Sequence, residues 1–282
     1  MTKLSAQLEN IRIEQSLFTL PFAYLGMVLA AGGLPTWHQF LWITLAMAGA
    51  RTYGMTMNRL VDIDLDRRHP RARARPLPTG RLTVREVALV LLLGALLLLF
   101  AAWQLNPLCL ALAPVALAIF TVYSYVKRVS WLTHLVLGLS LGGAPAGAWI
   151  AVTGALSWEP LLLGGLVASW AAGFDTLYAC GDAAEDRVLG VRTLPVRFGI
   201  GPALAVSAAL HLITIALLAW TGIHFSLAWP YWLGAVFASA LLAYEHALVT
   251  PVDLSRLNTA FFTVNGFISL LLFAATFASL FL

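Results

Sequence analysis

Charged residues are scarce in this chain of 282 amino acids. Asp, Glu, Lys and Arg make up 11% of the sequence, whereas hydrophobic residues make up 60%. A soluble domain carries roughly 25% charged residues, so this composition excludes an ordinary water-soluble protein. Continuous apolar runs of about 20 residues recur instead, which is the length of a helix that spans a bilayer. Because lipid cannot hydrogen-bond the backbone and the runs do not alternate with polar residues, the sequence predicts an all-α membrane protein.

Nine membrane-spanning helices are predicted around a central cavity, and together they form a single domain over residues 1–282. Residues 1–15 are polar, include Glu9 and Glu14, and lack a small-residue cleavage pattern. They are therefore interpreted as an amphipathic segment on the membrane surface rather than a signal peptide. The predicted spans are 16–34, 37–58, 84–105, 107–126, 131–152, 158–180, 201–222, 228–249 and 259–281.

Cysteine is almost absent, and the histidines are scattered. Cys109 and Cys180 both fall in predicted spans and give no signal of a disulfide or of a metal site. Free cysteines of this kind behave as small apolar residues. The histidines lack the spacing of metal ligands and are interpreted as loop or packing residues: His38, His69, His134, His211, His224 and His246.

Lysine and arginine are missing from alternate loops. The loops near residues 35, 106, 155 and 225 contain neither. The remaining segments, among them the loops 59–83 and 181–200, carry every Lys and Arg except Arg51 and Arg85. Basic residues favour the cytoplasmic side of a membrane, so the N-terminus and both of these loops are predicted to be cytoplasmic. This topology accounts for the net charge of +4 without a nucleic-acid partner.

Two acidic motifs end the second and sixth predicted spans. Asn58, Asp62 and Asp66 are spaced by four residues, which places them on one face of a helix. Asp182 and Asp186 repeat this spacing, and Asp175 lies about two turns earlier.

The two motifs are matched in sequence. Asp182 follows Asp62 by 120 positions, and Asp186 follows Asp66 by the same number. A basic loop with a Leu-Pro pair comes after each motif. Since four predicted spans separate the copies, the sequence indicates an internal duplication of a four-helix unit with a ninth helix added. Both acidic ends then face the same side of the membrane.

Clustered carboxylates near a membrane repel one another and need a compensating charge. Mg²⁺ prefers carboxylate, water and phosphate oxygens, so two facing acidic motifs suit a Mg²⁺-bound diphosphate. The alternative is two solvated helix ends that balance the basic loops. A diphosphate also needs direct cationic partners. The basic residues near the motifs are candidates for this role, and the alternative for each is a membrane-side anchor: Arg71, Arg75, Lys127, Arg128 and Arg192.

Arg51 is a charge inside the second predicted span. It precedes Asn58 by seven residues, which places it about 10 Å deeper on the same helix face. A charge within a span indicates function by default, and its position suits a substrate carboxylate beyond the diphosphate. The alternative is an ion pair with Asp175 or Glu14.

These motifs resemble the UbiA superfamily of intramembrane prenyltransferases over nearly the whole chain. The resemblance rests on Asn-x-x-x-Asp-x-x-x-Asp at 58–66, Asp-x-x-x-Asp at 182–186, Tyr-x-x-x-Lys at 123–127 and Arg-x-x-x-Arg-Pro-Leu-Pro-Thr-Gly at 71–80. Arg51 matches the position at which the 4-hydroxybenzoate branch holds its aromatic acid. Arg59 and the pair Ala183-Ala184 depart from the family pattern and leave the number of metal ions open.

The resemblance implies transfer of a polyprenyl group from polyprenyl diphosphate, drawn from membrane lipid, to an aromatic acid of the 4-hydroxybenzoate type. Alternative acceptors are 1,4-dihydroxy-6-naphthoate, haem or chlorophyllide, and an alternative class is a secondary transporter, which also has internal repeats. The implied metal ligands are Asn58, Asp62, Asp66, Asp182 and Asp186. The other implied site residues are Arg71, Lys127, Arg128 and Arg192 for the diphosphate, Arg51 for the acceptor, Tyr178 beside the allylic cation, and Asp175 for orienting the acceptor or taking a proton.

Overall fold

A computed structural model describes residues 2–257 and 263–282 of the chain. The described residues form thirteen α-helices and no β-strand. In chain order the helices are α1 (Lys3–Asn10), α2 (Ser16–Ala31), α3 (Trp37–Val61), α4 (Ile63–Arg68), α5 (Val84–Leu105), α6 (Pro107–Val129), α7 (Thr133–Thr153), α8 (Glu159–Ala179), α9 (Ala183–Leu189), α10 (Leu194–Phe198), α11 (Ile200–His224), α12 (Trp229–Ala247) and α13 (Asn265–Ser279).

Long apolar helices dominate the bundle, which confirms the all-α prediction. Five stretches of the described chain are long and apolar enough to cross a membrane. Thr19–Ala31 and Asn265–Ser279 are shorter apolar helices, and the predicted start of the ninth span at 259 lies outside the described residues. The five stretches are Val84–Leu105, Pro107–Val129, Thr133–Thr153, Glu159–Leu189 and Ile200–His224.

Glycine allows α7 and α8 to pack closely against each other. A β-carbon at Gly138 or Gly142 of α7 would collide with the backbone carbonyl of Ala168 or Gly164 on α8. Small residues at such positions let two helix backbones approach closely. The contact fixes α7 against α8 and so sets the distance between the side chains that each helix carries toward the acidic motifs.

Both helices that carry an acidic motif are interrupted at the first aspartate of the motif. α3 ends at Val61, and Asp62 has φ −92° and ψ 4° before α4 begins. α8 ends at Ala179, a 3₁₀ turn covers Cys180–Asp182, and Asp182 has φ −105° and ψ 2° before α9 begins. Helical hydrogen bonds from the Asp62 N–H to the Asn58 carbonyl (2.9 Å) and from the Asp66 N–H to the Asp62 carbonyl (2.7 Å) preserve the four-residue spacing across the first break.

An apolar cavity of about 280 Å³ lies among α2, α3, α5, α6 and α7. Its wall is made of aliphatic and aromatic side chains such as Ile43, Leu98 and Phe120, and it also includes Arg51 and Tyr123. The cavity therefore reaches from the apolar interior of the bundle to the helix segments that precede the first motif.

The N-terminal segment is folded onto the ends of two long helices. The Thr2 side chain caps α1 by accepting a hydrogen bond from the Ser5 N–H. Glu9 of α1 accepts two hydrogen bonds from Arg81, at 2.7 and 2.9 Å. Lys3 pairs with Glu86 at the start of α5 at 3.0 Å. This arrangement fastens the segment beside the first motif, and its place on the membrane surface stays a prediction.

Candidate functional site

Asp62 is a buried carboxylate at the break between α3 and α4. It is 1% exposed and forms an ion pair with Lys127, near the end of α6. The Arg128 guanidinium lies 3.5 Å from its other oxygen, Oδ1, which has no hydrogen-bond partner in the described part of the chain. Because α6 delivers both cations to the same aspartate, the structure brings together three residues that the sequence predicts for one site.

Asp66 lies one turn further along, in α4, and is also buried. Arg75 donates to both of its oxygens at 2.7 and 2.8 Å, and the Arg59 guanidinium lies at 4.0 Å. Arg59 also donates to the Asn58 side-chain oxygen at 3.4 Å. Arg59, which departs from the family pattern, therefore supplies a cation between Asn58 and Asp66.

Asp182 in the second motif contacts the loop of the first. It forms an ion pair with Arg71, and the His69 ring lies at 3.7 Å. Arg71 also donates to the Tyr178 hydroxyl at 3.2 Å and lies over the Tyr178 ring, 5.1 Å from its centre. Burial, followed by the nearby Arg71 and Arg75 guanidinium groups, lowers the pKa of His69 below its ordinary value. The two acidic ends thus meet through the residues that follow the first motif.

Asp175 on α8 is paired with His134 on α7. Their side chains are joined at 2.6 Å between Oδ2 and Nδ1, and the other ring nitrogen of His134 lies 3.4 Å from the Leu194 N–H. The close α7–α8 contact makes this pairing possible. Asp186 is half-buried and has no ion-pair partner within 4 Å among the residues that the structure covers.

Arg51 and Arg192 both donate to backbone carbonyls. Arg51 bonds the carbonyl oxygens of Ile11 at 3.3 Å and Arg12 at 2.7 Å, while Asp175, one of its predicted alternative partners, is held by His134. The Arg192 side chain donates to the Val129 carbonyl at 2.7 Å, and its N–H to the Lys127 carbonyl at 2.8 Å. Arg192 therefore fastens the second loop to the end of α6, and its diphosphate role stays a prediction.

The donor set suits a hard divalent cation on a phosphate. In residues 2–257 and 263–282, no three His, Cys, Asp or Glu side chains lie close enough to hold a metal ion by themselves. Mg²⁺ usually takes one or two carboxylates and completes its shell with water and phosphate oxygens. Asp62, with one buried oxygen that lacks a hydrogen-bond partner, and the partly exposed Asp182 and Asp186 provide carboxylates of that kind, with cations next to them for the phosphate.

Two residues of this site were given no role by the sequence interpretation. His69 and His134 were interpreted as loop or packing residues, yet each faces an aspartate of the site. No sequence signal was available for His134, since its contact depends on how α7 packs on α8. Arg75 was interpreted as a cation for the diphosphate or a membrane-side anchor, and in the structure it holds Asp66.

Comparison with known proteins agrees with this geometry. Residues 19–277 match the UbiA prenyltransferase family. The 4-hydroxybenzoate octaprenyltransferase of Methylobacillus flagellatus is 33% identical over 87% of this chain and 83% of its own length. The enzyme of that name from Cupriavidus metallidurans is 30% identical over 99% of this chain and 95% of its own length.

Solved structures show the same fold. The apo structure of a UbiA homologue from Aeropyrum pernix is 31% identical, with a TM-score of 0.85 over 93% of this chain and 97% of the other. A UbiA homologue from Archaeoglobus fulgidus bound to geranyl diphosphate and Mg²⁺ is 25% identical, with a TM-score of 0.74 over 98% and 100%. The family match covers more than half of the chain, and the relatives and solved structures match it over most of their own length. The chain therefore belongs to the UbiA prenyltransferase family.

Proposed function

We propose that this enzyme transfers a polyprenyl group from polyprenyl diphosphate to 4-hydroxybenzoate, with Mg²⁺ on the diphosphate. The observation that carries the proposal is the meeting of two acidic helix ends with Lys127, Arg71 and Arg75. The names of the relatives support the acceptor, and the Archaeoglobus fulgidus structure with geranyl diphosphate and Mg²⁺ supports the donor and the metal. Membership of a prenyltransferase family leaves the transporter alternative without support.

The acidic side chains would hold Mg²⁺, which would bind the diphosphate and withdraw negative charge from it as it leaves. The ligands we propose are Asn58, Asp62, Asp66, Asp182 and Asp186. Lys127, Arg128 and Arg71 already lie against these carboxylates, so they would neutralise the leaving group without a large movement. Preorganised charges of this kind are among the strongest contributions to catalysis.

The bond changes then follow from the chemistry of the two substrates. The carbon–oxygen bond of the donor breaks, its electron pair leaves with the diphosphate, and the Tyr178 ring flanks the allylic cation. The acceptor forms a new carbon–carbon bond at the ring position next to its hydroxyl group and loses the proton there. Asp175, held in place by His134 at 2.6 Å, is the group we propose to orient the acceptor or accept this proton.

The apolar cavity would hold the prenyl tail. Its wall is almost entirely hydrocarbon, so it excludes water from the allylic cation and offers a polyprenyl chain an environment like the lipid that it leaves. Arg51 lies in the wall of the same cavity and would bind the acceptor's carboxylate through two parallel hydrogen bonds.

Nine spanning helices, a four-helix duplication and a cytoplasmic active site complete the proposal. The matched backbone breaks at Asp62 and Asp182 and the one-sided distribution of Lys and Arg support it. Single cysteines placed in residues 66–81 test the orientation in intact cells. These cysteines should stay unlabelled when an impermeant maleimide is added outside the cells. Labelling would show that the loop, and the site with it, does not face the cytoplasm.

An acceptor comparison tests the function itself. Purified protein is incubated with geranyl diphosphate, Mg²⁺ and either 4-hydroxybenzoate, its methyl ester or 1,4-dihydroxy-6-naphthoate, and products are identified by mass spectrometry. The proposal predicts a geranylated 4-hydroxybenzoate and little product from the ester. A geranylated naphthoate with no benzoate product would reassign the acceptor, and no product from either acid would contradict the proposed function.

A further inference from the structure

A polar pocket of about 390 Å³ lies beside the first motif, against the N-terminal segment. We name it the vestibule. Three of the residues that line it are arginines and two are glutamates, so most of its lining residues are charged. The lining residues are Glu9, Asn10, Arg12, Glu14, Arg59, Arg75 and Pro76.

Asn10 is a buried amide in the wall of the vestibule. The residue is 1% exposed, and within the described chain neither its side-chain oxygen nor its side-chain nitrogen has a hydrogen-bond partner. A buried amide without partners is unfavourable, so its presence in the wall of a pocket indicates a polar ligand. Such an amide can donate to a carboxylate or accept from a hydroxyl group.

The charges of the vestibule favour an anion. Glu9 is bonded twice to Arg81, which neutralises it. Glu14 pairs with Arg12 at 3.9 Å, and Asp66 is bonded twice to Arg75, which leaves the Arg59 guanidinium, 4.0 Å from Asp66, as the excess positive charge. A small carboxylic acid is attracted into such a pocket, whereas the hydrocarbon tail of the prenyl donor is not.

Residues 10–14, which we name the strap, line the vestibule and also contact Arg51, which lines the apolar cavity. The carbonyl oxygens of Asn10, Ile11 and Arg12 accept hydrogen bonds from α3: Arg59 bonds Asn10 at 3.3 Å, and Arg51 bonds the other two. Asn10, Arg12 and Glu14 line the vestibule, whereas Arg51 lines the apolar cavity. The strap therefore covers the guanidinium that the acceptor would need.

We infer that the vestibule admits the acidic acceptor from water and that the strap is the gate between it and the apolar cavity. Arg51 would exchange the Ile11 and Arg12 carbonyls for the acceptor's carboxylate. This inference rests on the proposed function, in which Arg51 binds an aromatic acid. It assigns separate routes to the two substrates: the donor tail reaches the site through lipid, and the acceptor through the vestibule.

Two features favour this exchange. A carboxylate bound to a guanidinium forms charge-assisted bonds, which are stronger than bonds to a neutral carbonyl. Arg12 has φ 52°, a left-handed conformation that is uncommon for a residue other than glycine. Opening the strap would release this conformation, so the closed form holds part of the strain that helps the gate to open.

A removable cross-link tests the gate. Glu9 and Arg81, whose side chains are bonded at 2.7 Å, are both changed to cysteine and joined by a short bismaleimide with a cleavable disulfide. Cross-linked protein should prenylate 4-hydroxybenzoate at least ten times more slowly than the same protein after cleavage, with unchanged affinity for geranyl diphosphate. Equal rates before and after cleavage would overturn the gate, as would an equal loss in the single-cysteine proteins treated with the same reagent.

A charge placed in the vestibule tests the access route independently. Asn10→Asp should raise the KM for 4-hydroxybenzoate about tenfold or more, because a carboxylate there repels the acid, while the KM for geranyl diphosphate stays the same. Val252→Asp, at a position that is 96% exposed, adds the same charge elsewhere and should change neither constant. An unchanged acceptor KM in Asn10→Asp would contradict the vestibule, whereas wild-type protein that never prenylates 4-hydroxybenzoate would contradict the proposed function instead.

Discussion

The two acidic ends of the bundle are alike in their backbones and different in their surroundings. Each helix breaks at the first aspartate of its motif, with nearly the same backbone angles at Asp62 and Asp182. Asp62 is 1% exposed and faces two cations from α6. The Asp182 side chain is 20% exposed and faces Arg71 and His69 from the first motif's own loop.

The two ends differ in the segments that supply their partners. The cations that face Asp62 belong to the long helix α6, whereas Asp66 is held by Arg75 from the loop that follows the first motif. Asp182 is paired with Arg71 and lies near His69 of the same loop, which also contacts Tyr178. The two motifs therefore share a spacing and differ in how much each depends on this loop.

Removal of divalent cations should affect both ends equally and have the largest effect. Excess EDTA should abolish prenyl transfer, because the clustered carboxylates would then repel the diphosphate instead of binding it through Mg²⁺. Product formation is measured by mass spectrometry in EDTA and again after Mg²⁺ is added back, which should restore prenyl transfer. Full turnover in EDTA would show that the carboxylates do not act through a metal.

Neutralising one carboxylate at each end should lower kcat/KM by different amounts. Asp62→Asn removes a buried carboxylate that faces two cations, and loss of one preorganised electrostatic group lowers the rate on the order of 100- to 1,000-fold, so a fall of that size in kcat/KM is expected. Asp182→Asn removes a more exposed partner, worth about 1.5–3 kcal/mol, so its loss should be on the order of 10- to 100-fold. The thermal stability of each detergent-solubilised variant serves as the control. An equal loss of kcat/KM in both variants would show that the greater burial of Asp62 does not make it more important than Asp182.

Arg51→Lys should leave both acidic ends intact and have a smaller, selective effect. Lysine cannot form the two parallel bonds that a guanidinium makes with a carboxylate. The KM for 4-hydroxybenzoate should therefore rise by about 10- to 100-fold, whereas the KM for geranyl diphosphate should not change. The methyl ester of the acceptor provides the matched control and should be insensitive to the substitution. A raised KM for the diphosphate would instead assign Arg51 to the donor site.

The sequence predicted the helical class and the place of the acidic motifs because both depend on local patterns. Long apolar runs must be helices in lipid, and four-residue spacing survives the backbone break at Asp62 through its hydrogen bond to Asn58. The break itself was not predicted: no proline lies next to Asp62 or Asp182, and a glycine, Gly181, precedes only the second of them.

The partners of the motif residues were harder to predict because they depend on packing between distant segments. Lys127 was expected near the diphosphate, and it lies against Asp62. Arg51 was expected to meet a carboxylate, but it holds two carbonyls of the N-terminal segment, which sequence spacing cannot relate to α3. His134 meets Asp175 only because glycines let α7 approach α8.

The central claim is that both acidic ends act on one Mg²⁺-bound diphosphate, and a double-mutant cycle tests it most directly. The measurement is kcat/KM for geranyl diphosphate in Asp62→Asn, in Asp182→Asn and in the protein with both changes. Residues that act as one unit are strongly non-additive. We therefore expect the double variant to be little worse than Asp62→Asn alone. If the two losses instead multiply, with free energies that add within about 0.5 kcal/mol, the two ends act independently and the claim is wrong.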